Sequence, residues 1–147
     1  MYKRILVTTD GSALSKKAVG SAIRLAQSTG AELVALHVVP RYPMSYFEGG
    51  ASLDAADVKR IEAQWTEKGQ ALVDAVKKSA EAAGVKARTA VARSDLMAES
   101  VIAAVRKHKC DLVVMASHGR KGIKRLLLGS ETQHVLTPST VPVLVLR

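Results

Sequence analysis

Residues 111–130 read DLVVMASHGRKGIKRLLLGS, and the order of residue types in this stretch decides the fold class. Asp111–Ser117 has the length and β-branched content of a buried strand. A loop with Gly119 and Gly129 follows, and Ser130 then opens what reads as the first turn of a short helix from about Glu131 to Thr137. Strand, glycine-bearing loop and helix start together have the layout of a phosphate-binding loop. A glycine without Cβ lets an anion reach backbone N–H groups, and a helix N-terminus offers unpaired donors and the positive end of a dipole.

The rest of the chain repeats the alternation. Lys3–Thr9 is a β-branched apolar run that ends at Asp10-Gly11-Ser12, after which Leu14, Ala18, Ala22 and Leu25 recur at helical spacing as far as Gly30. Glu32–Val39 is a second strand, closed by Pro40; residues 40–52, with two prolines and Gly49-Gly50, form a connection. Asp54 opens one long helix with Val58, Ile61, Trp65, Leu72 and Val76 on one face, running to Gly84, and Gly69 is the place where it would be disturbed. Val85, Ala87, Thr89 and Val91 alternate with Lys86, Arg88 and two alanines, which predicts a half-buried edge strand with a basic outer face. Asp95 is placed to cap a helix whose buried face holds either Leu96, Ser100, Ala103 and Ala104 or the neighbouring Val101 and Val105. That helix ends in the cations Arg106 to Lys109, which suit a helix C-terminus. Val141–Leu146 makes the fifth strand. Strands and helices alternating at this spacing predict an α/β protein with a parallel sheet covered on both faces. One domain over residues 1–147 is expected. In such sheets ligands bind beyond the carboxyl ends of the strands, where the strand order reverses. If strands one and four are neighbours there, Asp10 and the loop after Ala116 converge on one crevice.

Composition narrows the function classes. The chain has 147 residues, 48% of them apolar, enough for one core without staples. Its longest apolar run is far short of the roughly 20 residues that cross a bilayer, so no membrane partner is expected. Met1-Tyr2-Lys3-Arg4 passes straight into a strand and lacks the apolar core of a secretory signal, and the single Cys110 agrees with a reducing cytoplasm. A net charge of +9 attracts polyanions, which makes nucleic acid an alternative partner. Against it, aromatics are 3% of the chain and are not interleaved with the basic residues, so a stacking platform is absent.

Each candidate residue also has a reading that needs no ligand. Ser130 with Gln133 fits a capping box, and Asp10 and Ser12 fit the turn and cap of the first helix. The basic loop residues Arg120, Lys121, Lys124 and Arg125 fit a solvated surface. His37 reads as a hydrogen-bonded core or dimer residue, and Cys110 as a small hydrophobe. His108, His118 and His134 show no metal-ligand spacing, and no nucleophilic triad can be assembled. Neither Gly-x4-Gly-Lys-Ser/Thr nor Gly-x-Gly-x-x-Gly occurs.

Taken together, Ile5 to Ser12, Leu36-His37-Val38, the loop segment and Val141 to Val145 resemble the universal stress protein family in order along the whole chain. The most specific part is that family's motif, Gly-x2-Gly-x9-Gly-Ser/Thr, whose spacing is kept at Ala116, Gly119, Gly129 and Ser130, with alanine in place of the first glycine. The resemblance implies a Rossmann-like five-stranded parallel sheet of order 3-2-1-4-5 and a homodimer formed largely through the last strand. It also implies ATP, or ADP or AMP, in the crevice, with Mg²⁺ accompanying the nucleotide. By the same resemblance Asp10 would bond the ribose hydroxyls and the Val38 backbone would meet the adenine edge. Backbone N–H groups around Ala116, Gly119, Gly129 and Ser130, with the Ser130 hydroxyl, would hold the phosphates. Thr8 and Thr9 would line the floor, and Met115 and Glu131 complete the set. The expected function is that of a cytoplasmic, nucleotide-responsive dimeric regulator in stress response, meeting protein partners that the sequence does not name. Binding rather than turnover is expected, with at most slow ATP hydrolysis. The alternative is a dimeric adaptor that has lost nucleotide binding, marked by Ala116.

Overall fold

A computed structural model describes residues 1–42, 54–118, 130–136 and 138–147. Its elements are β1 (Arg4–Thr8), α1 (Ala13–Thr29), β2 (Glu32–Val39), α2 (Ala55–Ala82), β3 (Ala87–Arg93), α3 (Met97–His108), β4 (Leu112–Ala116), α4 (Ser130–Leu136) and β5 (Val143–Leu146). Every strand pairing is parallel, as the alternation of elements expected, and the sheet order is β3-β2-β1-β4-β5, as the family resemblance implied. Given this order, handedness places the helices. Right-handed crossovers through α1 and α2 step the chain one way across the sheet, so both helices lie on one face. The α3 crossover returns over β2 and β1 to place β4 beside β1, which puts α3 and α4 on the other face.

Strand residues alternate between these two cores. Ile5, Val7, Leu33 and Val114 pack with Ala22 of α1 and Val73 of α2. Leu6, Val34, Val113 and Met115 pack instead with Val101 of α3 and Val135 of α4. With both faces covered, the central strands must be apolar on both sides, which is why they read as continuous hydrophobic runs. Cys110 belongs to the second core, and burial pushes its thiol pKa up to about 11, so it stays protonated and behaves as the small hydrophobe expected of it.

The helix ends show local sequence at work. Ser12 Oγ accepts the Ser15 N–H at 3.2 Å and Asp54 Oδ1 accepts the Asp57 N–H at 2.8 Å, each satisfying a donor left over in a first helical turn. Gly30 closes α1 with a left-handed φ of 73°, a conformation in which a Cβ is costly.

Two expectations, on Asp95 and Gly69, are corrected, and one open alternative, the buried face of α3, is decided for Val101 and Val105. Asp95 does not cap α3: its Oδ1 accepts the Arg41 N–H at 3.0 Å, while Leu96 stands at the cap without a side-chain bond and Ser94 Oγ takes the Leu96 N–H. The buried face of α3 is Val101, Ala104 and Val105, with Ala103 and Leu96 exposed, because the longer aliphatic stripe wins the contact with β2 and β1. Gly69 leaves α2 unbroken, since its missing side chain is used for close packing rather than for a bend.

The two sheet edges differ in character. Arg88 on β3 and Lys86 just before it are exposed, as the alternation expected, and Arg93 at the strand's end is exposed as well. On β5 the strand is Val143-Leu144-Val145-Leu146, carries no charge, and leaves Leu144 42% exposed. No helix among the described residues is long and apolar enough to cross a membrane.

Candidate functional site

The carboxyl ends of β1, β2 and β4 meet at one end of the sheet, on either side of the reversal in strand order, the position at which open parallel sheets take ligands. β1 brings Thr8, Thr9 and Asp10 there. Thr9 adds one rung beyond the strand, its N–H donating to Leu36 O at 3.0 Å. Its carbonyl accepts His37 Nδ1–H at 2.7 Å. Because a carbonyl oxygen only accepts, this contact fixes the imidazole with its proton on Nδ1.

The turn after β1 is tightly specified. Gly11 has φ 80°, a left-handed value that β-branched and bulky residues avoid. Its N–H donates to Thr9 Oγ1 at 3.3 Å, and Thr9 Oγ1 lies 3.4 Å from Ser15 Oγ. Asp10 Oδ1 accepts the Ser12 N–H at 2.9 Å. The turn and cap roles of Asp10 and Ser12 are therefore both present. A carboxylate has about four lone-pair positions, so serving the turn does not exclude serving a ligand.

Across the reversal, β4 ends at Met115 and Ala116. The Met115 side chain is 2% exposed and packed in the core, so whatever this residue offers a ligand comes from its backbone. Ala116 is the last strand residue, paired with Leu146, and its backbone lies outside the positive-φ region. Thr8 and Thr9 are each 6% exposed, closing the floor of the crevice rather than projecting into it. Val38 is half-buried in β2, in register with Ala92 of β3. Ser130 and Glu131 form the first turn of α4. Gly119 and Gly129 lie outside the described residues.

Sequence reasoning missed Thr132. It is 2% exposed, and its hydroxyl lies 3.0 Å from Ala116 O and 3.1 Å from Ser117 O, tying α4 to the end of β4 across the whole intervening loop. No spacing signal marks a threonine on a short helix as such a tie; its burial is visible only once β4 and α4 are packed. Ser117, also buried, extends the strand by donating its N–H to Leu146 O at 2.7 Å.

The architecture is that of a Rossmann-like α/β protein with Thr8, Thr9 and Asp10 at the switch point between β1 and β4. Universal stress protein family matches run over residues 1–147, and the chain belongs to that family. A universal stress protein of Methanocaldococcus jannaschii, MJ0531, is 35% identical over all of this chain and 83% of its own length. The structure of UspA from Lactobacillus plantarum superposes with a TM-score of 0.81 at 21% identity, covering 99% of this chain and 98% of that one, and shares the fold. A universal stress protein solved in complex with cAMP is 27% identical, with a TM-score of 0.67 over 99% of this chain and 97% of that one.

Proposed function

We propose that this protein binds ATP or a related adenine nucleotide at the switch-point crevice and acts as a nucleotide-responsive dimeric regulator in stress response. The observation that carries the reading is the convergence of Thr8, Thr9 and Asp10 from β1, Val38 from β2 and Ala116 from β4 on one end of the sheet, with Ser130 opening α4. The cAMP complex of a relative supports adenine as the base. Asp10 would take the ribose hydroxyls, the Val38 backbone the adenine edge, and Ser130 the phosphates. These residues are acceptors and backbone donors of the kind a nucleoside phosphate needs. Mg²⁺ would arrive with the phosphates, its charge offset by them, and Asp10 is the carboxylate set beside the crevice floor. Asp10 is assigned to the ribose and Ser130 to the phosphates, roles of binding rather than of water activation, so the function is read as binding rather than turnover.

Calorimetry with ATP on protein freed of nucleotide tests this. Micromolar binding that falls at least about tenfold in both Asp10→Ala and Ser130→Ala is expected, the loss of a hydrogen bond to a charged or ribose group being of that size. Protein that ignores ATP would leave the adaptor reading in its place.

The dimer is proposed through β5. A charge-free, partly exposed edge strand is one that proteins ordinarily blunt or cover, and β3, with its exposed arginines, is blunted while β5 is not. Light scattering is expected to give twice the 15.6 kDa chain mass, and Leu144→Lys is expected to give the monomer; an unchanged dimer in that variant would move the interface elsewhere.

A further inference from the structure

Where the carboxyl ends of β1 and β2 meet stands a side chain with no assigned part in the proposed site, His37. Its Nδ1–H donates to the Thr9 carbonyl at 2.7 Å, directly before Asp10, while its own backbone directly precedes Val38. The ring is wedged in place from behind. A Cβ built on Gly69 of α2 would lie 2.5 Å from His37 Cδ2 and 3.2 Å from its Nε2, so the imidazole occupies the space that any other residue at position 69 would fill. The packing and the hydrogen bond are independent observations, and both hold one ring in one orientation.

From this geometry we infer that His37 is a positioning residue of the nucleotide site: it locks the Asp10 turn to β2, setting the spacing between the carboxylate that meets the ribose and the backbone that meets the base. The inference rests on the nucleotide reading above. Its physical content is that the Thr9 backbone is gripped on both sides of its Cα, its N–H by Leu36 O and its carbonyl, in the peptide that leads to Asp10, by the imidazole. The Gly11 N–H and the Ser12 N–H then hang from Thr9 Oγ1 and Asp10 Oδ1. Releasing the carbonyl frees the peptide that carries Asp10, whereas the adenine edge, set by β2 and its pairing to β1 and β3, stays where it is. A site built this way discriminates by sugar, because only ribose hydroxyls register where Asp10 stands.

The experiment is paired calorimetry with ATP and 2′-deoxy-ATP on wild type, His37→Leu, His37→Asn and Gly69→Ala. Asparagine carries an N–H donor at the Nδ1 position, and leucine does not. Wild type is expected to favour ATP. In His37→Leu, ATP affinity should fall roughly tenfold and 2′-deoxy-ATP affinity far less, so that the ratio collapses towards one. His37→Asn should keep the ratio within about twofold of wild type. Gly69→Ala, which displaces the ring without removing it, should reproduce the leucine result. Amide hydrogen exchange without nucleotide gives a second readout: Gly11 and Ser12 should lose protection in His37→Leu while β4 keeps its own. A wild type that binds neither nucleotide overturns the nucleotide reading. If wild type binds but leucine lowers both affinities by the same factor, or leaves the Gly11 and Ser12 amides protected, the positioning role alone is overturned.

Discussion

Position 116 carries a methyl group where the motif of the universal stress protein family has a hydrogen, and the structure limits what that methyl can do. Alanine is strained only where the backbone needs a left-handed φ. Ala116 does not have one: it ends β4 in ordinary strand pairing with Leu146 and is 8% exposed. Ala116→Gly is therefore expected to lower stability by about 0.5–1 kcal/mol, the cost of glycine in a strand. It should change ATP affinity by less than about threefold, or under ~0.7 kcal/mol. Urea unfolding and calorimetry on the same preparation check both halves. A large rise in affinity would identify the methyl as a block and favour the adaptor reading.

At the scale of the element, α2 presents a conflict between local preference and packing. Glycine in a helix interior is about 1 kcal/mol worse than alanine, so propensity alone says that Gly69→Ala should stabilise. The close approach of His37 and of Val39 Cγ2, 3.3 Å from where the new Cβ would sit, says the opposite. Overpacking a well-filled core costs about 1–3 kcal/mol, and the histidine is held by its bond to Thr9. Net destabilisation of about 1 kcal/mol is expected, read from urea midpoints. A stabilised variant would mean that the ring swings away freely. The helix could be read from the sequence, with Asp54 as its cap, but the purpose of Gly69 could not, because its reason sits on β2.

For the whole molecule, charge gathers at the end of the sheet opposite the crevice. Glu32 lies 2.9 Å from Arg4, 3.5 Å from Lys86 and 3.9 Å from Arg88. The Arg4 hydrogen bond, helped by the charges of Lys86 and Arg4, outweighs burial and holds the Glu32 carboxyl below its ordinary value of 4.5. His108, at the end of α3, is held below its ordinary 6.5 by burial and then by Lys107, Arg88 and Arg4, which override the helix-end preference for a cation. Both shifts have the same sign for stability. A histidine whose folded pKa is depressed stabilises fully above about 6.5, and loses that contribution as the pH falls below it, because the unfolded chain then binds more protons. A carboxylate with a depressed folded pKa stabilises above its unfolded value near 4.5 and loses this as the pH falls further. Urea unfolding from pH 7.5 to 3.5 should thus show a two-step decline. His108→Gln should flatten the first step and Glu32→Gln the second. The Glu32 step should shrink at high salt, since these partly exposed pairs are screened and worth about 1 kcal/mol or less.

What the sequence by itself determined is what depends on neighbours along the chain. The apolar runs gave the strands, helical spacing gave α1 and α2, their alternation gave a parallel sheet covered on both faces, and the sheet order came from the resemblance to the universal stress protein family. The caps at Ser12 and Asp54 and the turn at Gly11 belong to this local class. What only the tertiary structure decided depends on residues brought together from afar. Asp95, a plausible cap by spacing, is taken by the Arg41 amide from another loop. Thr132, silent in sequence, ties α4 to β4 because burial leaves its hydroxyl no water and the strand end supplies the carbonyls. His37, legible as a core histidine, acquires a partner in Thr9 and a wall in Gly69 only when β1, β2 and α2 are packed. Hydrophobic periodicity and capping act over a few residues, whereas a buried hydrogen bond takes whichever partner the packing brings within reach.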